Sequence, residues 1–392
     1  ELSIKALIDN ADCSHKARFT LIDADGNEKA STIADLRPII SAKLPVEDPV
    51  LWNGRKNPYL YTVRCEIFDS TTQEVTDNID IRTGLREYHI DSHKGFFLNG
   101  EHIKLQGVSR HQDRENMGNA ITEKQHAEDV KIILDVGANS VRLAHYQQNS
   151  YFYDLCDESG LLVWAEVPVI SRFSPKRNEN AEQQLVELIK QNYNHPSIFC
   201  WGIENEITIA GSASKKLITF LKHMHKVARH LDPTRYTTCA QLTMCPVNSP
   251  LNHITDIIGY NHYYGWYMGS CDEINNWLDE WHRENPEGKL CLSEYGAEGI
   301  TKYHSDSPVQ GDYSEDYQAI YHEHYIKAIN ERDWLWGSYV WNMFDFAADG
   351  RDEGGKNGEN QKGLVTFDRK IRKDAFYIYL SLIHISSPRD TR

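Results

Sequence analysis

From residue 1 to about 90, hydrophobic and polar positions alternate with a period of two, and turn signals separate the runs. One run is Ala17-Arg18-Phe19-Thr20-Leu21-Ile22, closed by the turn Asp23-Ala24-Asp25-Gly26-Asn27. The clearest strand is Leu60-Tyr61-Thr62-Val63-Arg64-Cys65-Glu66-Ile67-Phe68. Short alternating strands at this spacing predict an immunoglobulin-like β-sandwich over residues 1–90, with its first strand expected to be incomplete. After Gly95 the pattern changes, and apolar strand-like runs alternate with runs of helical period. Eight strands are predicted: 104–109, 139–145, 161–167, 198–206, 236–241, 256–263, 290–295 and 335–341. Helices are predicted between them, one opened by the capping box Thr122-Glu123-Lys124-Gln125 and others over 181–193, 214–230 and 315–332. Eight βα repeats in about 280 residues predict an α/β fold, a (β/α)8 TIM barrel, over residues 91–380. Residues 381–392 read as a non-native tail.

On such a barrel, functional side chains stand at the C-terminal ends of the strands. The predicted ends carry Arg110-His111, His145, Glu166, Asn205-Glu206, Tyr263, Glu294 and Trp341-Asn342. Glu206 and Glu294 each close an apolar run, and a desolvated carboxylate is costly unless it has a partner or a task. Two carboxylates on different strands are what cleavage of a glycosidic bond requires, one as proton donor and one as nucleophile or base. Glu204 and Glu206, two apart on one strand, are expected to face the same side.

Composition narrows the partners. The net charge of -15 argues against a nucleic-acid partner, whose phosphates need a basic surface. No run of about 18 apolar residues is present, so no membrane span is predicted. The eight cysteines form no CxxC pair, and several lie in apolar runs. They read as buried free thiols of a reducing compartment, which favours the cytoplasm. The chain opens without Met and reads as a piece of a longer protein, with any targeting signal upstream.

Five stretches resemble glycoside hydrolase family 2, the family of β-galactosidases, β-glucuronidases and β-mannosidases. They are Gly107–His111, Gly137–Tyr146, Asn194-His195-Pro196-Ser197-Ile198 running into Trp201 and Asn205-Glu206, Ser293-Glu294-Tyr295-Gly296, and Lys362–Asp368. Trp52-Asn53 and Pro58-Tyr59-Leu60-Tyr61 extend the likeness into the sandwich. The resemblance implies that Glu206 is the general acid/base and Glu294 the nucleophile of a retaining double displacement. It implies that Asn205 bonds the sugar 2-hydroxyl, that Tyr263 touches the nucleophile, and that His145 and Trp341 line the sugar pocket. Arg110 and His111 are expected either to touch sugar or to hold Glu206 or Glu166 in place. Glu166 is expected at the site or in a rim salt bridge to Arg142 or Arg110. A retaining mechanism predicts the two carboxyls roughly 5–5.5 Å apart.

The sugar is read from two motifs. Arg110-His111-Gln112-Asp113 resembles the galactosidase branch, so a terminal β-D-galactoside is the first expectation. Asn360-Gln361-Lys362-Gly363 resembles the glucuronidase pattern in which Asn360 and Lys362 hold a sugar carboxylate, so a β-glucuronide or β-galacturonide is the second. An inactive carbohydrate-binding relative is the non-enzyme alternative. No metal motif is visible and no cofactor is required. Some relatives bind magnesium or sodium near the acid/base, but no residue here is assigned to them. The expected partner is a carbohydrate, and homo-oligomer formation is left open.

Overall fold

The computed structural model describes residues 1–386, so half of the 381–392 tail reading, residues 387–392, lies outside the described residues. The chain divides into two compact units. The first holds Glu1–Glu87 with the short segments Asp157–Gly160 and Asn194–Ser197, and the second holds the remainder.

In the first unit, six strands form two antiparallel sheets. They are β1 (Leu2–Leu7), β2 (His15–Ile22), β3 (Glu28–Asp35), β4 (Ile39–Leu44), β5 (Tyr61–Asp69) and β6 (Val75–Thr83). One sheet runs β3-β2-β5-β6 and the other pairs β1 with β4. Alternation decides which face is buried: Ala17, Phe19 and Leu21 of β2 are buried and share one core with Ile40 and Leu44 of β4. The expected strand pattern and its Asp23–Asn27 turn are both present, the turn closed by the Asp23 side chain on Asn27 N at 2.8 Å.

The second unit is a closed barrel of eight parallel strands. In order they are β7 (Leu105–Arg110), β8 (Ser140–Leu143), β9 (Leu162–Glu166), β10 (Ile198–Asn205), β11 (Tyr236–Leu242), β12 (Ile257–Asn261), β13 (Leu290–Tyr295) and β14 (Gly337–Val340), with β14 pairing back to β7. All eight predicted strands are found, with ends that differ by at most two residues. Helices α1 (Glu123–Asp135), α2 (Ser150–Ser159), α3 (Asn178–Asn192), α4 (Lys215–Leu231), α5 (Glu273–Glu284), α6 (Glu315–Asn330) and α7 (Asp374–Ser386) accompany them. The Thr122 capping box forms at the head of α1. Helix α5 carries a signal not used above: Ile274, Trp277, Leu278 and Trp281 recur at helical spacing and are buried.

The barrel interior is layered. Phe199 and Trp336 pack edge-on at 5.7 Å, and Trp164 meets Trp336 at 6.0 Å and Tyr339 at 5.5 Å. The Arg142 guanidinium lies 4.9 Å from the Trp164 ring, so an aromatic plug gives way to charge. The charged layer is therefore desolvated from below, and its ion pairs act at low effective dielectric.

Candidate active site

Arg142 is the hub. It stands mid-strand on β8 and is fully buried, so its charge needs partners. Its Nε meets Glu166 Oε1 at 2.6 Å, its Nη1 meets Glu294 Oε1 at 2.7 Å, and its Nη2 meets Asn205 Oδ1 at 2.7 Å. Burial by itself would lower the Arg142 pKa, but the charges of Glu166 and Glu294 outweigh it and raise the pKa. Burial would likewise raise Glu166, yet Arg142 and His145 hold it below the ordinary glutamate value.

Glu294 ends β13 and is almost wholly buried. Its second oxygen accepts the Tyr263 hydroxyl at 2.7 Å, and His145 Nε2 lies 3.8 Å from its first. Both oxygens are thus engaged by donors. Tyr263 itself is pushed well above its ordinary pKa by burial and by the Glu294 charge, so it remains a donor.

Glu206 is set differently. Among the described residues its Oε1 accepts only Asn261 Nδ2, at 3.0 Å. Burial, then the charge of Glu294, raises its pKa to about 7. Its backbone is in the left-handed region with φ 49°, uncommon for a residue with a side chain and typical of sites that store strain. A bond from Glu206 N to Ala240 O at 2.8 Å holds that turn. The register of β10 against β11 slips between Gly202 and Asn205, so strict alternation fails there. As a result Glu204 and Glu206 do not share a setting, contrary to expectation. Glu204 bonds Gln241 Nε2 at 2.7 Å and Ile207 N at 3.1 Å, and burial raises it to about 8. Asn205 Oδ1 also receives Asn261 Nδ2 at 3.2 Å, so one amide chain runs from Arg142 through Asn205 and Asn261 to Glu206.

The aromatic wall gathers where the motifs placed it. His145 stacks on Trp341 with centroids 5.1 Å apart, and His111 packs edge-on against Trp341 at 5.3 Å. Asn360 Oδ1 accepts Lys362 N at 3.1 Å. The Lys362 ammonium, only 1% exposed, meets Tyr267 at 2.7 Å and Glu298 at 2.9 Å. It also lies 5.9 Å from the Tyr263 ring centroid, one side chain away from Glu294.

One expectation is corrected. Arg110 is 0% exposed, and its donors are taken by Asp129 at 2.7 Å, by Gln148 at 2.5 Å and by His126 at 3.2 Å, so it reaches neither a sugar nor Glu206 nor Glu166. Of the two settings expected for Glu166, the salt bridge to Arg142 is the one present; the carboxylate is enclosed between Arg142 and His145, which makes it a support for those two side chains. Arg142, Asn261, Tyr267 and Glu298 are site residues that the sequence reading did not assign. The signal for Arg142 was a lone charge inside the apolar run Ser140-Val141-Arg142-Leu143.

A parallel eight-stranded barrel with two glutamates in opposite electrostatic settings at its rim defines a (β/α)8 protein of the paired-carboxylate class. The chain belongs to glycosyl hydrolase family 2. The model of that family's TIM barrel domain matches residues 90–384, and a second family 2 model matches residues 1–86. A β-glucuronidase of Bacteroides fragilis is 44% identical over 351 residues, covering 86% of this chain and 49% of that protein. The crystal structure of an FMN-binding β-glucuronidase from Facaelibacterium prausnitzii L2-6 superposes with a TM-score of 0.91 at 47% identity, covering 95% of this chain and 57% of that one. A β-galactosidase of Thermoanaerobacter pseudethanolicus is 26% identical over 356 residues, covering 88% of this chain and 44% of that protein. The chain thus spans about half the length of the curated relatives it matches.

Proposed function

We propose that the chain carries the active site of a retaining exo-β-glycosidase and that the terminal sugar it removes is a β-D-glucuronide. The observation that supports the chemistry most directly is the unequal treatment of two neighbouring carboxyls. Glu206, raised to about 7, keeps a proton to give near neutrality, whereas Glu294 is bonded at both oxygens by Arg142 and Tyr263.

In the first step a Glu294 oxygen attacks the anomeric carbon as the glycosidic C–O bond breaks, and Glu206 passes its proton to the leaving oxygen. In the second step Glu206, now a base, takes a proton from water, the water oxygen joins the anomeric carbon, and Glu294 leaves. Two displacements retain the anomeric configuration. The Asn205 amide is oriented by Arg142 through its oxygen, which turns its nitrogen outward as a donor for the sugar 2-hydroxyl.

The acid sugar is preferred over galactose on three grounds. The Arg110 motif that favoured galactose contributes a guanidinium already engaged by Asp129 and Gln148. The Lys362 ammonium stands beside Tyr263 and Tyr267, where a C6 carboxylate would be drawn to it. Relatives at 44% and 47% identity are named β-glucuronidases, against 37% for a structure titled a putative β-galactosidase and 26% for a β-galactosidase.

The test is colour release from nitrophenyl β-glucuronide and β-galactoside. The glucuronide is expected to react faster, with the β-anomer as first product by NMR. Glu294→Gln should lower turnover by several orders of magnitude. Glu206→Ala should keep slow turnover of the activated substrate, accelerated by azide. A wild type as inert as Glu294→Gln would instead favour a carbohydrate-binding protein, and an inverted first product would overturn the double displacement.

A further inference from the structure

Beside the two carboxyls lies a buried ionic corner that catalysis leaves unused. The Lys362 ammonium has two protein partners, Tyr267 and Glu298. Arg351, on the loop after β14, reaches the same pair. Both of its terminal nitrogens lie 3.2 Å from the Tyr267 hydroxyl, and one of them also bonds Glu298 Oε1.

Charge does not balance there. Two cations meet a single enclosed carboxylate, since Glu298 is 0% exposed while the other partner of Arg351, Glu353, is 45% exposed and screened by solvent. Donor capacity is also unfilled: Arg351 Nε is buried with no partner among the described residues. An uncompensated buried charge is costly, and an entering anion relieves that cost. Lys362 has one N–H left after its two bonds, enough for a single oxygen of a carboxylate. A guanidinium is the planar donor that matches a second oxygen.

We propose that Arg351 is a specificity-determining residue, a second cation for the carboxylate of an acidic sugar, held next to Lys362 by Glu298. This rests on the glucuronide reading above and adds to it a residue outside the Asn360–Lys362 motif. The corner is one negative charge short, and the C6 carboxylate of the substrate completes it. A neutral hexose brings no such charge, so the loop residue separates the two classes.

The experiment compares wild type, Arg351→Gln and Arg351→Lys on nitrophenyl β-glucuronide and β-glucoside, which differ only at C6. Free glucuronate serves as a competitive inhibitor. For Arg351→Gln, the glucuronide KM and the glucuronate Ki are expected to rise by about tenfold or more, the size of one lost charge-assisted hydrogen bond, with kcat nearly unchanged. Arg351→Lys should recover part of the loss. A wild type active on glucuronide whose Arg351→Gln variant keeps its KM and Ki overturns this proposal alone. An equal rise in KM on both substrates overturns it too, since that marks a merely structural loop residue. A wild type that prefers the glucoside overturns the glucuronide reading and this proposal together.

Discussion

At Glu206 two effects push the same way. Burial is the larger and the charge of Glu294 the smaller, and together they bring the carboxyl to about 7. The Asn261 bond opposes them by favouring the ionised form. Replacing Glu294 by Gln removes the repulsion and leaves the burial. The Glu206 titration, followed by carboxyl NMR, is therefore expected to fall below 7 yet stay above the ordinary glutamate value of 4.5. An unmoved titration would mean that the two groups do not interact. The apolar runs pointed to both strand ends in the sequence, and the choice of Glu206 over Glu204 came from the family resemblance. The Arg110 sugar contact was misread, because a motif names a residue type without saying where its donors point. Its partner Asp129 lies on α1, and only packing brings the two together.

At the scale of elements, the site depends on β10 lying close against β9. A side-chain carbon built on Gly202 would stand 2.5 Å from Trp164 Nε1 and 2.6 Å from Glu166 Cγ. Gly202→Ala is thus expected to push Glu166 off Arg142 and His145. It should lower the thermal midpoint by the equivalent of about 1–3 kcal/mol and reduce turnover with it. A variant of wild-type stability and rate would show that β9 yields at no cost. The strands themselves were readable from alternation and length, but the slip of register on β10 was not. No residue type announces that bulge; it is where backbone pairing with β11 and the placing of Asn205 and Glu206 outweigh regular geometry.

Across the whole molecule, buried titratable groups set the pH range of stability. Burial lowers His262 and His322 to about 3 and His126 to about 4, against 6.5 when exposed. Below 6.5 the unfolded chain therefore binds more protons, and stability falls as pH drops. Burial raises Glu204 to about 8 and Glu206 and Asp345 to about 7, so the folded chain keeps protons the unfolded chain has lost. Their effect is that stability falls as pH climbs through 7 and 8. Thermal midpoints across pH should pass through a maximum on the acid side of neutrality. Glu204→Gln should flatten the alkaline side by about 1–3 kcal/mol. Its amide can donate to Gln241 Oε1, now buried without a partner among the described residues, after the Gln241 amide turns over. A Glu204→Gln variant as alkali-sensitive as wild type would remove Glu204 from that account.

Periodicity, run length and strand-end chemistry are local properties. That is why eight strands, their order along the chain and the two strand ends that carry Glu206 and Glu294 could be read from residues alone. Electrostatic environment is not local. Glu206 keeps its proton because burial and the charge of Glu294 act on it, and Glu294 meets Arg142 and Tyr263, which arrive from β8 and the loop after β12. The cationic corner joins residues more than 50 positions apart at Glu298 and Arg351. Such distances close only when the barrel does, because hydrogen bonds and charge act over a few ångströms of space, whatever the separation along the chain.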